Sequence, residues 1–170
     1  MKNADSFFNR GHRPQIDAKD FMDVDPDNHS LRPWQCEKSL KTLKVTLVGV
    51  PRPDLMGDDV VFEAYPGQAR ETHDQIYDRL ARLASLEVLA LEGNHYHHMS
   101  GCLEMSLESG LDKLSGLKLL RELDTNGLRT KIGVKEVQWM TEHWPRLRVV
   151  RGLGANEDEA AEWLEKIPQG

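Results

Sequence analysis

Cysteine is nearly absent from this 170-residue chain: Cys36 and Cys102 are the only two, far apart and outside any C-x-x-C spacing. That excludes a disulfide framework and a zinc knuckle, and leaves two reduced, mostly buried thiols acting as small hydrophobes as the expectation. Long apolar runs are missing too. Nothing approaches the roughly 20 residues needed to span a bilayer, and MKNADSFFNRGHRP at the N-terminus has no continuous apolar segment of the signal-peptide kind. Lys and Arg form no dense cluster with interleaved aromatics, and the net charge is -6, so nucleic acid and membrane are set aside as partners. A cytoplasmic or nuclear protein is expected. No G-x-S-x-G elbow, H-E-x-x-H pair or phosphate loop occurs, so neither an enzyme nor a cofactor is expected.

What is present suits one soluble domain with a real core, at 39% apolar and 29% charged residues. Residues 1 to 30 mix Asp, Asn, Pro, Gly and His with few periodic apolar positions and read as a flexible polar arm. Within it Asp23, Asp25 and Asp27 have a D-x-D-x-D spacing but lack the Gly and the closing Glu of a calcium loop, which leaves solvated charge. The rest, 31 to 170, reads as a single domain. Leu43, Val45 and Leu47 alternate with Thr42, Lys44 and Thr46 as a half-buried strand does. A long loop over 48 to 70 follows, then a helix capped at Thr72 with Gln75 and carrying Ile76, Leu80 and Leu83 on one face. LEVLAL is a second strand. Leu103, Met105 and Leu107 alternate as a strand would, although a single helix over 102 to 114 fits as well, and Leu111, Leu114 and Leu117 space as a short helix. LKLLREL is a further strand, Val134, Val137, Met140 and Trp144 mark a helix, and LRVV is the last strand. A final helix, capped at Asn156 with Ala160, Leu164 and Ile167 buried, closes the domain.

Leu86, Leu117 and Leu147 open similar runs at intervals of 31 and 30, and Asn94, Asn126 and Asn156 follow at 32 and 30. LEVLALEGN matches L-x-x-L-x-L-x-x-N, the leucine-rich-repeat pattern, outright, while LKLLRELDTN and LRVVRGLGAN carry one extra residue before the Asn. An ordinary α/β domain with coincidentally spaced strands is the alternative. The fold expected is α/β: a short right-handed solenoid of four or five ribonuclease-inhibitor-like repeats, parallel strands on the concave side and helices on the convex side.

WMTEHWPRLRVV resembles the helix-to-strand passage P-x-L-x-x-L of F-box leucine-rich-repeat proteins. RPWQCEKSLKTLKVTLVGVPRPDL, IYDRLARLASLEVLALEGNHY, CLEMSLESGLDKLSGLK and IGVKEVQWMTEHWPRLRVVRGL resemble blocks of F-box-like leucine-rich-repeat proteins of filamentous fungi, over residues 31 to 167. The resemblance implies a target-recognition array that follows an F-box docked on a ubiquitin-ligase adaptor. Thirty mostly polar residues leave no room for an F-box of about 40 to 50 residues, so the chain looks like the C-terminal end of such a protein standing alone. The adaptor is then a partner only if an F-box is supplied elsewhere.

For function, the expectation is a non-enzymatic protein-interaction module. Its concave face would present Thr42 and Lys44, Glu87, Val88 and Ala90, Lys118, Leu119 and Arg121, then Arg148, Val149 and Arg151. Of these Lys44, Glu87, Val88, Lys118, Arg121, Arg148 and Arg151 are the binding candidates. Five basic residues against one acidic imply an acidic protein ligand, unless exposed strands simply carry Lys and Arg to discourage edge pairing. The one candidate for metal chemistry is His95, His97 and His98 with Cys102, whose spacing matches no standard site. Trp139, Trp144 and Trp163 read as packing between repeats, and Trp34 as a cover over the N-terminal end of the core.

Overall fold

Three apolar residues spaced three apart recur along the chain: Leu83, Leu86 and Leu89; Leu117, Leu120 and Leu123; Trp144, Leu147 and Val150. Such spacing gives a tight turn followed by one inward strand position. In a computed structural model describing residues 14–51, 66–92, 103–126, 128 and 132–153, each trio does this. The Leu86 N–H donates to the Leu83 carbonyl (2.9 Å), that of Leu120 to Leu117 (3.1 Å) and that of Leu147 to Trp144 (3.0 Å). All of these side chains are buried except Val150, which is half-buried against the same core.

The turns lead into strands of one open, five-stranded parallel sheet. Its members are β1 (Gln15–Asp17), β2 (Thr42–Val48), β3 (Val88–Glu92), β4 (Glu122–Asp124) and β5 (Val149–Arg151), in sequence order across the sheet. Leu43, Leu89, Leu123 and Val150 stand in one register, and Val45 pairs with Leu91. These positions share a core with helices α1 (Ala18–Met22), α2 (Pro66–Ala81) and α3 (Val134–His143) and a 3-10 turn over Leu111–Gly116. Each Leu taken from water here contributes about 1.5–3 kcal/mol.

Sequence periodicity located β2, β3, α3 and the 3-10 turn, and several other expectations are corrected. Residues 14 to 30 are no flexible arm: β1 pairs with β2, and Ala18, Phe21 and Met22 of α1 are buried. The Asp23–Asp27 stretch is a turn, in which Asp25 accepts the Asp27 N–H (2.9 Å) and Arg32 lies between Asp23 and Asp25. Because β1 and α1 lie beyond β2, Trp34 does not by itself end the core. It stands edge-on to Phe21, ring centres 5.2 Å apart. α2 starts at Pro66, within the expected loop, so Thr72 is inside the helix rather than its cap. Residues 103 to 107 form no strand, although Leu103 and Met105 are buried. The reason lies on α2. The Tyr77 hydroxyl donates to the Glu104 carbonyl (2.6 Å) and His73 Nε2 accepts the Glu104 N–H (3.3 Å), so side chains satisfy the backbone that a neighbouring strand would have. The loop over 48 to 70 is described only in part, and the final helix with Asn156, Trp163 and Ile167 lies outside the described residues.

One buried cation ties the N-terminal segment, residues 14 to 40, to α2. Arg79 on α2 is fully buried, donates to the Arg32 carbonyl (2.5 Å), to Glu37 (2.8 Å) and to the Met22 carbonyl, and stacks on Trp34 with 4.7 Å from guanidinium to ring centre. Burial lowers its pKa and Glu37 opposes that, leaving it charged. At the other end Gly152 adopts a positive φ of 77°. A Cβ there would lie 2.5 Å from the Asn126 nitrogen and 2.6 Å from the Thr125 oxygen, both backbone atoms that cannot swing away.

Two stability outcomes follow. Arg79→Met should cost about 3–5 kcal/mol in urea denaturation, because Glu37 and two carbonyls lose their donor. Arg79→Lys should recover only part, since an ammonium cannot span the same acceptors, and an unchanged midpoint for either would refute the tie. Gly152→Ala should lower stability by about 2 kcal/mol or more through left-handed strain and backbone overlap; a midpoint equal to that of the natural chain would show that β5 is not held this close.

Candidate functional site

The residues at which successive strands begin are set by one repeated hydrogen-bond pattern. The Lys41 carbonyl accepts the N–H groups of both Glu87 (2.7 Å) and Val88 (3.0 Å). The Glu87 carbonyl accepts those of Arg121 (2.7 Å) and Glu122 (3.2 Å), and the Arg121 carbonyl those of Arg148 (2.8 Å) and Val149 (3.1 Å). Lys41, Glu87, Arg121 and Arg148 therefore form one row at the N-terminal rim of the sheet. The next row is Thr42, Val88, Glu122 and Val149, and the row after the inward positions is Lys44, Ala90, Asp124 and Arg151. Rows two residues apart stand on one face, because strand side chains alternate.

This register keeps Thr42, Lys44, Val88, Ala90, Val149 and Arg151 on the outer face and corrects the rest of the expected set. Lys118 and Leu119 belong to the turn between Leu117 and Leu120, not to a strand; the Lys118 ammonium donates to the His143 carbonyl (2.9 Å). Glu122 and Asp124 take their place on the face. Glu87, Arg121 and Arg148 precede their strands and lie on the rim. The error has a physical source: with leucines every three residues, a shift of three matches leucine to leucine. Leu86 aligns with Leu120 and Leu147, at intervals of 34 and 27, and Leu117 aligns with Leu83. Asn126, expected in the asparagine series, lies past the last residue of β4. Its N–H bonds to the Asp124 carboxylate (3.0 Å). Asn94 and Asn156 lie outside the described residues.

The face is not a basic stripe. Glu87 lies between the Lys41 ammonium (3.1 Å) and the Arg121 guanidinium (3.7 Å), and Glu122 pairs with Arg151. Arg148 donates to the Leu147 carbonyl (3.1 Å). Val88 and Val149, half-buried, separate the two lines of charge, and Ala90 and Asp124 are buried. Glu122 and Asp124 escaped the sequence reading although the signal was there: taking Leu120 and Leu123 as the inward pair points both outward.

His95, His97, His98 and Cys102 lie outside the described residues. Among the described residues no group of three His, Cys, Asp or Glu side chains is placed to hold a metal ion, and no helix is long and apolar enough to cross a membrane. Cys36 is exposed rather than buried. Trp144 is buried, its indole donating to the Leu114 carbonyl (2.9 Å). Trp139 stacks on His143, ring centres 4.5 Å apart, so Trp139 packs along α3 and Trp144 packs against the 3-10 turn.

Lys41 first, through its hydrogen bond and charge, and then Arg121 and Arg146 hold the Glu87 carboxyl below the ordinary carboxylate range. A depressed folded-state value means that the pairing supports the fold above the unfolded-state value and is lost as pH falls through the folded one. In a carbon-detected NMR titration Glu87 should therefore titrate below the ordinary range of a glutamate side chain. Lys41→Met should raise its midpoint more than Arg121→Met does. Equal midpoints in all three proteins would remove the charge row.

No protein-family model, curated protein or solved structure matches the chain.

Proposed function

We propose that the chain is a non-enzymatic protein-binding module, a short right-handed leucine-rich-repeat array that holds a protein ligand against the outer, concave face of its sheet. The observation that carries this reading is the recurrence at three successive junctions of one unit: a three-residue apolar turn, then a carbonyl shared by two N–H groups of the next strand. A unit of this kind cannot bury its apolar side alone and is stabilised by stacking. Right-handed crossovers are what parallel strands joined in sequence order adopt almost without exception.

A stacked array fixes side chains in rows about 4.8 Å apart between strands and about 6.6 Å apart along them. The outer rows offer Thr42, Lys44, Val88, Glu122, Val149 and Arg151, a mixture of both charges with two apolar side chains between them. Protein interfaces are built this way, an apolar centre with charged pairs that set orientation around it. The ligand read from this face carries charge of both signs about an apolar residue.

The test uses the tagged full chain as bait against extract of its native cells, beside Val88→Arg and Val149→Arg variants of unchanged far-ultraviolet circular dichroism. A protein retained by the natural chain and weakened at least about tenfold by both variants supports the reading. Proteins captured equally by all three would place the ligand elsewhere or leave it without one.

A further inference from the structure

The alignment of Leu86 with Leu120 and Leu147 gathers a charge that the linear sequence scatters. Lys38, Lys41, Lys118, Arg121, Arg146 and Arg148 all fall on the turns that precede β2, β4 and β5, at the N-terminal rim of the sheet. Five are exposed and Arg148 is half-buried. Glu87 is the acidic residue set among them on the turn before β3, and Lys41 and Arg121 both contact it. Among the described residues, six positive charges against one give this rim +5, on a chain whose total is -6.

We propose that this rim is a docking site for an acidic segment of a protein partner, an extended stretch bearing several Asp or Glu side chains. The inference rests on the reading of the sheet as a protein-binding surface and names the chemistry of its partner. Charge complementarity selects the occupant. An acidic segment is repelled by the rest of the chain and drawn to this edge, within the reach of about 8 Å that physiological salt leaves to surface charge. From Lys41 to Arg148 the row crosses three strand spacings, about 14 Å, the length of about four residues of extended peptide. The Arg121, Arg146 and Arg148 guanidinium groups suit carboxylates, which they bind through paired N–H donors. Nucleic acid fits less well: the rim residues include no aromatic side chain on which a base would stack, and a carboxylate stands in the centre.

The experiment is fluorescence anisotropy with the full chain and a labelled decapeptide of alternating Glu and Ser. The matched Gln and Ser peptide and a labelled oligothymidylate of equal length serve as competitors. Binding of the Glu peptide that weakens as salt rises is expected. It should weaken about tenfold in Lys118→Gln/Arg146→Gln, whose side chains are exposed, and tighten in Glu87→Gln, where a repelling charge is removed. Lys19→Gln/Lys135→Gln, away from the rim, should bind as the natural chain does. No binding, equal binding of the Gln peptide, preference for the oligothymidylate, or insensitivity to the rim variants would overturn the proposal. Partner capture lost in Val88→Arg but indifferent to the rim variants would overturn it and leave the face reading intact. Glu-peptide binding lost with the rim, beside partner capture indifferent to Val88→Arg, would keep the rim and overturn the face.

Discussion

A single carbonyl shared by two N–H groups, repeated at Lys41, Glu87 and Arg121, sets the register of everything that faces outward. Each of these carbonyls fixes where the next strand begins, and strand side chains alternate. A slip of one residue at any of the three would exchange the inward and outward sets of the following strand. Leu89 and Leu123 would then meet water, and Val88 and Glu122 the core. The cost of exposing a single leucine, about 1.5–3 kcal/mol, already exceeds what an exposed ion pair contributes, at about 0–1 kcal/mol. The core therefore decides the register, and the charge rows on the outside are its consequence.

Arg79 supplies what the shared carbonyls do not: attachment of the N-terminal unit. β1 has three residues and α1 five, and Arg79 adds polar attachment to the burial of Phe21, Met22 and their apolar neighbours. A buried guanidinium that reaches the Met22 and Arg32 carbonyls and Glu37 joins three points of that unit to α2 in one contact. Buried ions are costly unless their donors are used, and here both terminal nitrogens are used while the guanidinium lies over the Trp34 ring. Among the described residues Arg79 Nε is the one buried side-chain polar atom without a hydrogen bond, and the guanidinium keeps its charge despite it.

Elements whose pattern runs over a full turn or several strand positions were legible. Leu43, Val45 and Leu47 gave β2 its face, and Val137 and Met140 gave α3 its buried side. Short elements in polar surroundings were not: in α1 the apolar signal is Ala18, Phe21 and Met22 among aspartates, below the length at which periodicity tells. Alternation at Leu103 and Met105 was real but described burial rather than pairing, because the partners of that backbone are side chains of α2. The candidate site was half legible. Val88, Val149, Lys44 and Arg151 follow from alternation alone. Glu122 and Asp124 depend on choosing Leu120 over Leu117, which identical residues three apart leave undecided until the hydrogen bonds of the sheet are known.

The same three-residue ambiguity bears on how charge is distributed. Aligned on Leu117, the chain shows a basic stripe down the middle of the face; aligned on Leu120, positive charge moves to the rim and the face becomes mixed. These are different binding surfaces. A stripe would hold an acidic ligand along its length with little regard to register, because unpaired like charges attract opposite charge from any direction. A face on which Glu122 pairs with Arg151, beside Val88 and Val149, is close to neutral, and a ligand held there would be selected by shape and by the arrangement of those pairs. A rim at +5 beside it would attract over distance without discriminating. On the proposed reading the two would divide the work of recognition: the rim would raise the rate of encounter with an acidic partner, and the face would decide which of those encounters last.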